Sequence, residues 1–347
     1  MIVNTTYSLD DVLLEPQRSN IKSRLDTSLK TKVSTNYSID SPLMATNMST
    51  ITEFPMMRAM HSVGGVGVLH RFLEPYQRIQ NIQEALAAGC HPVIASIGIG
   101  PQELMCGKKM AQMGADVILI DVAHGHSQQV VDQLKALKDY KTVKPFDVIV
   151  GNIVTEDAAR EFLELGADGL RVGIGGGSRC LTRTVTGHGV PNLTAIKDVV
   201  YARDDYLHKA KRYVPVIIDG GIKTSGDIVK ALYFGADVAC LGNLLSGTDE
   251  TPGELVTRDG KHFKKFYGMA SKEAQDVHRG GMKNGTAAEG FSELVSYKGS
   301  VKPILEQLLG GIRSGLTYSG ANNIEELRQK GKPVYLSSSA RGESKIL

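Results

Sequence analysis

The residues best placed to do chemistry lie in one stretch, RVGIGGGSRCLTRTVTGHGVP, from Arg171 to Pro191. Four of the five positions 173–177 are glycine, and Ser178, Cys180, Thr182 and Arg183 follow. Glycines without Cβ atoms let backbone N–H and C=O groups turn toward a ligand. A cysteine closing such a loop sits where a thiolate can be stabilised and can attack an electrophile. The alternative is a flexible loop with an incidental thiol. The other cysteines offer less. Cys90 and Cys240 lie in or beside apolar runs and are expected to pack, and Cys106 falls in a helical pattern.

A loop of this kind needs a rigid frame. Apolar runs recur at 42–48, 66–70, 92–96, 116–121, 147–152, 168–172, 214–219 and 237–242. Segments of helical period separate most of them, among them Tyr76–Ala88, Gln128–Leu137, Ala158–Leu165 and Thr194–Ala210. Buried parallel strands read as near-continuous apolar runs. Eight such units alternating with helices predict an α/β fold of the (β/α)8, or TIM, barrel type. The triplet Gly-Ala-Asp at 114–116, 166–168 and 235–237 closes a helical pattern and opens an apolar run each time. A single barrel domain over 1–347 is expected, with an N-terminal extension at 1–40, an active-site flap inserted at 247–290 and a mobile polar tail at 336–347.

Barrel chemistry sits at the C-terminal ends of the strands. Those ends carry Asn47, His70, Arg71, Ser96, Asp121, Asn152, Asp219-Gly220-Gly221 and Gly242-Asn243. The last two groups follow the seventh and eighth strands, where glycine-rich turns form a phosphate cradle in this fold. Plain tight turns are the alternative. Asp121 could accept hydrogen bonds from a ligand or cap the helix that follows. His124 and His126 lack a carboxylate or cysteine nearby to complete a zinc set. Glu289 stands near the end of the long insertion.

Composition narrows the function classes. The net charge of +3 over 347 residues gives no basis for a nucleic-acid or membrane partner. No apolar run is long enough to span a bilayer. The segment MIVNTTYSLDD has neither the basic region nor the apolar core of a signal peptide. Four cysteines without CxxC spacing fit a reducing compartment, so a cytoplasmic location is expected.

The loop GIGGGSRCLTR with TGHGVP resembles the catalytic loop of the IMP dehydrogenase and GMP reductase family. The resemblance extends over nearly the whole chain, through YSLDDVLLEP, MATNMST, IDVAHGHS, IIDGGI, RDGKHFKKFYGMAS, YKG and LGGIRSGLTYSGA. It implies a barrel that binds a purine nucleotide, with Cys180 attacking purine C2 and Thr182 handling the proton. It further implies that Asp219, Gly220, Gly221, Gly242 and Asn243 hold ribose and phosphate, while Gly268, Met269, Ala270 and the segment Thr286, Ala287, Ala288, Glu289 and Gly290 close over the base. By the same resemblance the cofactor would meet Asp121, Val122, Ala123, Ile174, Gly175, Met269, Gly285 and Thr286. Ser23, Arg24 and Ser314, Gly315, Leu316 and Thr317 would reach the cofactor of a neighbouring subunit in a homotetramer. A monovalent cation, K⁺, would be held at Gly175, Gly177, Cys180 and Arg183.

Within the family, the expected activity is that of a GMP reductase using NADPH, with Glu289 pairing with Thr182 as the acid that releases ammonia. No Arg-Tyr pair of the dehydrogenase kind lies between Tyr267 and Glu289, and no regulatory insertion interrupts the early barrel. Arg71 is a candidate for the NADPH 2′-phosphate, or else a surface arginine. The chain departs from the reductase pattern at Gly176, Arg179, Asn243, Ala270 and Thr286, and DVAHGHS is closer to the dehydrogenase. The alternatives are an IMP dehydrogenase without its regulatory domain and an inactive purine-nucleotide-binding homologue.

Overall fold

The computed structural model describes residues 5–343 apart from the Arg279 side chain; the last four residues of the expected tail fall outside that range. Eight parallel strands close into a barrel. They are β1 (Leu43–Ala45), β2 (Val66–Leu69), β3 (Ile94–Ile97), β4 (Val117–Asp121), β5 (Asp147–Ile153), β6 (Gly169–Val172), β7 (Val216–Asp219) and β8 (Val238–Leu241). Each falls within, or within one residue of, one of the apolar runs. The helices α1 (Phe54–Ser62), α2 (Pro75–Ala87), α3 (Pro101–Gln112), α4 (Gln128–Lys138), α5 (Glu156–Glu164), α6 (Asn192–Ala210), α7 (Ser225–Tyr233) and α8 (Lys302–Tyr318) surround it.

The interior of the barrel is a packed core. Met44, Val68, Leu119, Ile149, Ile217 and Cys240 form one buried cluster, closed from below by Val33 and Ile39. Those two flank or belong to a small hairpin, Thr31–Lys32 with Ser38–Ile39. The N-terminal segment therefore plugs the bottom of the barrel. Its strand Val12–Leu14 also pairs antiparallel with Pro333–Tyr335, and Arg341 meets Asp11 at 3.0 Å.

The Gly-Ala-Asp repeat has a physical reason. Gly114, Gly166 and Gly235 take φ of +105°, +84° and +103°, a left-handed helix stop that costs other residues a Cβ clash. The alanines are buried, and the aspartates turn under the barrel to accept N–H groups at or just before the start of a strand, from Val93 at 2.7 Å, Val148 at 2.7 Å and Val216 at 2.8 Å. Each carboxylate is also paired with cations. Asp237 meets Arg328 at 2.9 Å, Arg203 at 3.3 Å and the Tyr213 hydroxyl at 2.6 Å. Asp237→Ala would leave a buried guanidinium and a buried N–H without partners, and a loss of about 3–5 kcal/mol is expected. Urea denaturation at fixed protein concentration checks this; a loss below about 1 kcal/mol would show the network to be redundant.

The insertion after β8 folds as a sheet with a helix. Val256–Arg258 pairs with Lys261–Tyr267, which pairs in turn with Ser292–Ser296. The helix Lys272–Arg279 lies between the last two strands in sequence. The unit thus runs past Gly290 to Ser296. The return strand SELVS is partly exposed and polar, so it carries no apolar run to mark it.

Candidate active site

The C-terminal mouth of the barrel brings the glycine loop against the turn after β7. A Cβ on Gly173 would lie 2.1 Å from the Asp219 carbonyl oxygen, and one on Gly220 2.9 Å from the Gly176–Gly177 backbone. Only glycine permits this backbone-to-backbone approach. Asn192, at the start of α6, ties the two turns by donating to the Gly220 carbonyl at 2.6 Å. Gly221 has φ +75°, and a Cβ there would meet Asn192 Nδ2 at 2.5 Å. Because the resemblance implies that this turn holds the nucleotide, Gly221→Val is expected to weaken nucleotide binding by about 10- to 100-fold through strain of about 1–3 kcal/mol, with cofactor affinity little changed. Calorimetry showing unchanged nucleotide affinity in the folded variant would remove this turn from the binding site.

Cys180, Thr182 and Glu289 meet. Cys180 Sγ lies 3.1 Å from Thr182 Oγ1, whose hydroxyl donates to Glu289 Oε2 at 2.7 Å. Backbone contacts set this register: Leu181 N–H donates to the Glu289 carbonyl at 2.7 Å, and Glu289 N–H to Ala270 at 3.0 Å. Cys180 also bridges Gly290 in antiparallel fashion. The arrangement is a continuous path from thiol through hydroxyl to carboxylate. Burial pushes the Cys90 and Cys106 thiols up, and the Cys240 thiol up to about 12, so these three stay protonated near neutrality. Cys180 alone among the four cysteines is not buried.

A charged cluster lies below the loop. Arg171 is buried in β6 and reaches Asp121 Oδ1 at 3.0 Å, Asp219 Oδ2 at 3.2 Å and Thr46 Oγ1 at 3.0 Å. Burial acts to lower its pKa, but Asp219, Cys240 and Asp121 outweigh that and raise it. Asn152 Nδ2 donates to both Asp219 Oδ2 and the Gly173 carbonyl at 2.7 Å, while its buried Oδ1 has no protein partner. Asp121 also meets Arg71 Nε at 3.3 Å. Ser127, not Asp121, occupies the cap position of α4. The sequence reading missed Arg171 and Asn192; a charged residue inside a buried strand was the available signal for the first.

The remaining expected residues separate into groups. Gly242 lies over Thr46 and Met48. Met269 Sδ is 3.6 Å from Ser49 Oγ, and Gly268 and Gly290 both press on the Arg179 carbonyl. Gly285, Thr286 and Ala287 are exposed on the flap, with the Thr286 hydroxyl turned onto Lys283 at 2.7 Å. Ser23 caps a 3-10 turn, Arg24–Asp26, that lies beside α8. Ser314 and Gly315 on α8 line a groove of about 1370 Å³ that also includes Ser225 and Tyr318. His124 is exposed and His126 pairs with Glu161 at 2.9 Å; among the described residues no cluster of His, Cys, Asp or Glu could hold a metal ion.

The family model for the IMP dehydrogenase / GMP reductase domain matches residues 6–346. The chain belongs to the IMP dehydrogenase and GMP reductase family. Among its relatives, the inosine-5′-monophosphate dehydrogenase of Cryptosporidium parvum is 34% identical, over 98% of this chain and 94% of the relative. The GMP reductase of Vibrio cholerae (strain M66-2) is 36% identical, over 92% of each. A GMP reductase from Trypanosoma brucei, solved in complex with guanosine 5′-monophosphate, superposes with a TM-score of 0.90 at 27% identity, over 99% of this chain and 98% of that one. The chain is thus an oxidoreductase of this family, on the barrel its sequence pattern predicts. Among the described residues no helix is long and apolar enough to cross a membrane.

Proposed function

We propose that this protein is a GMP reductase that converts GMP to IMP and ammonia with NADPH as the reductant. The observation that carries the reading is the path from Cys180 through Thr182 to Glu289, with its contacts of 3.1 and 2.7 Å. The Cys180 sulfur attacks C2 of the guanine, and its proton passes through the Thr182 hydroxyl to the Glu289 carboxylate. Glu289 then returns a proton to the 2-amino group. The C2–N bond breaks, ammonia leaves, and the base remains bound to Cys180 as a thioimidate. NADPH supplies the hydride that C2 accepts before the C2–S bond breaks and IMP departs.

The residues present fit both ligands. The glycine turns at 219–221 and 242–243 suit a phosphate, and Asn152 Oδ1 is a buried acceptor still free to bind a ribose hydroxyl or amide. Asp121, with Val122 and Ala123 after it, would orient the nicotinamide. Among the described residues only Nε of the Arg71 guanidinium is hydrogen-bonded, which leaves its outer nitrogens for a phosphate. The carbonyls of Gly177 and Arg183 each accept one backbone N–H and keep a second lone pair, so with Gly175 and Cys180 they would suit K⁺. Gly175 packs on the Arg183 side chain, which itself donates to the Ile174 and Val190 carbonyls at 3.0 and 2.8 Å. The Ser23–Arg24 turn and the 314–317 stretch lie on one flank, joined by Arg313 reaching Thr27. That placement supports their serving a neighbouring subunit of a homotetramer, and the free cysteines support a cytoplasmic location.

The test is direct. GMP with NADPH should release ammonia stoichiometrically with NADPH oxidation. Failure to oxidise NADPH with GMP, despite tight nucleotide binding, would turn the reading toward an inactive binding homologue.

A further inference from the structure

The guanidinium beside the nucleophile takes part in none of these steps. Arg179 immediately precedes Cys180, and only 15% of its side chain is exposed. Its Cζ lies 5.2 Å from the ring centre of Phe266 and 5.1 Å from that of Phe291. Its Nη2 meets Glu293 Oε2 at 2.6 Å. Phe266 and Glu293 are register partners across the flap sheet, and Phe291 stands two residues before Glu293. Opposed and alternate residues share a face, so these three side chains form one surface and Arg179 lies on it. A planar guanidinium can stack on the rings while its edge meets the carboxylate; an ammonium cannot do both.

The main chain closes on the same residue. The Arg179 carbonyl accepts the Phe291 N–H at 3.3 Å. A Cβ on Gly268 or Gly290 would lie 2.6 or 2.9 Å from that oxygen. Two residues before Phe291 is Glu289, whose carbonyl takes the Leu181 N–H. What holds Phe291 on Arg179 therefore also sets where Glu289 meets Thr182.

We propose that Arg179 is a positioning residue: it clamps the nucleophile loop onto the flap sheet and so keeps the Glu289 carboxylate on Thr182. The proposal rests on the reading of Thr182 and Glu289 as the proton path. The Glu293 side chain is 53% exposed, so the ion pair is secondary and the aromatic stacking carries most of the effect.

The experiment compares Arg179→Met, Arg179→Lys, Phe291→Leu and Glu293→Gln, with Arg179→Met also made in a Glu289→Gln background. Arg179→Met should lower kcat for ammonia release about 10- to 100-fold, with the GMP dissociation constant within about threefold. Arg179→Lys should recover little of that loss, Phe291→Leu should shift kcat in the same direction, and Glu293→Gln should stay within about twofold. On the Glu289→Gln background Arg179→Met should cost less than about threefold more, because both changes act through one carboxylate. Equal losses in both backgrounds, or an unchanged kcat, overturn the proposal.

A second readout needs no catalysis. Iodoacetamide should alkylate Cys180 at least about fivefold faster in nucleotide-free Arg179→Met or Phe291→Leu than in the unsubstituted protein. An unchanged alkylation rate in both variants overturns the clamp. If the unsubstituted protein releases no ammonia from GMP, the activity reading falls, and the alkylation rates alone decide the clamp.

Discussion

Cys180→Ala is expected to abolish turnover while leaving GMP binding within roughly tenfold, a change of about 1.4 kcal/mol or less. The thiol is half-buried at the end of the glycine loop and 3.1 Å from the Thr182 hydroxyl. A sulfur there that attacks C2 contributes to the reacting bonds, not to ground-state binding, so its loss falls on kcat. The proposed binding groups lie elsewhere, in the backbone turns at 219–221 and 242–243. The other three thiols cannot take over, because each is buried with its pKa pushed up. Isothermal calorimetry and a spectrophotometric NADPH assay on the same preparation separate the two effects. Turnover near that of the unsubstituted enzyme would remove the covalent mechanism.

The barrel was legible in the sequence because all eight strands are parallel and buried, and such strands have no polar face to interrupt the pattern. The same logic explains what was missed. Arg171 hid inside an apolar run, where the identity of its partners depends on β4 and β7 closing around it. The return strand of the flap is half-exposed, so nothing in SELVS distinguishes it from a loop. Cys180 stood out from its place at the end of the glycine loop, whereas the role of Thr182 two residues on came from the resemblance. Glu289 did not stand out; most isolated glutamates are solvated, and only resemblance singled it out. Its place is set by contacts that span over one hundred residues of sequence, with the hydroxyl bond to Thr182 at a separation of 107. The Gly-Ala-Asp repeat was visible as a pattern, but its purpose needed the barrel floor, where each aspartate satisfies an N–H at or just before the start of a strand.

Glu289→Gln should lower the rate of GMP deamination by about 10²–10⁴, the range for loss of an acid–base group. The amide keeps the size of the side chain and can still meet Thr182, but it can neither take the thiol proton nor return one to the departing amine. Hydride exchange between IMP and the oxidised cofactor should suffer less, since no proton has to reach ammonia. Residual loss there would measure only the weaker activation of Cys180. Product assays on the unsubstituted enzyme separate the two activities known in the family. Hydrolysis of a thioimidate needs an activated water, and the stretch between Tyr267 and Glu289 contains no Arg-Tyr pair, its one arginine, Arg279, being followed by Gly280. The unsubstituted enzyme should therefore form little or no XMP from IMP and NAD⁺, and it should release ammonia from GMP and NADPH. Chromatography of the nucleotide products and an ammonia assay read the two outcomes independently. Robust XMP formation without ammonia release would assign the site to dehydrogenation, with the Thr182–Glu289 pair activating water instead of protonating a leaving amine.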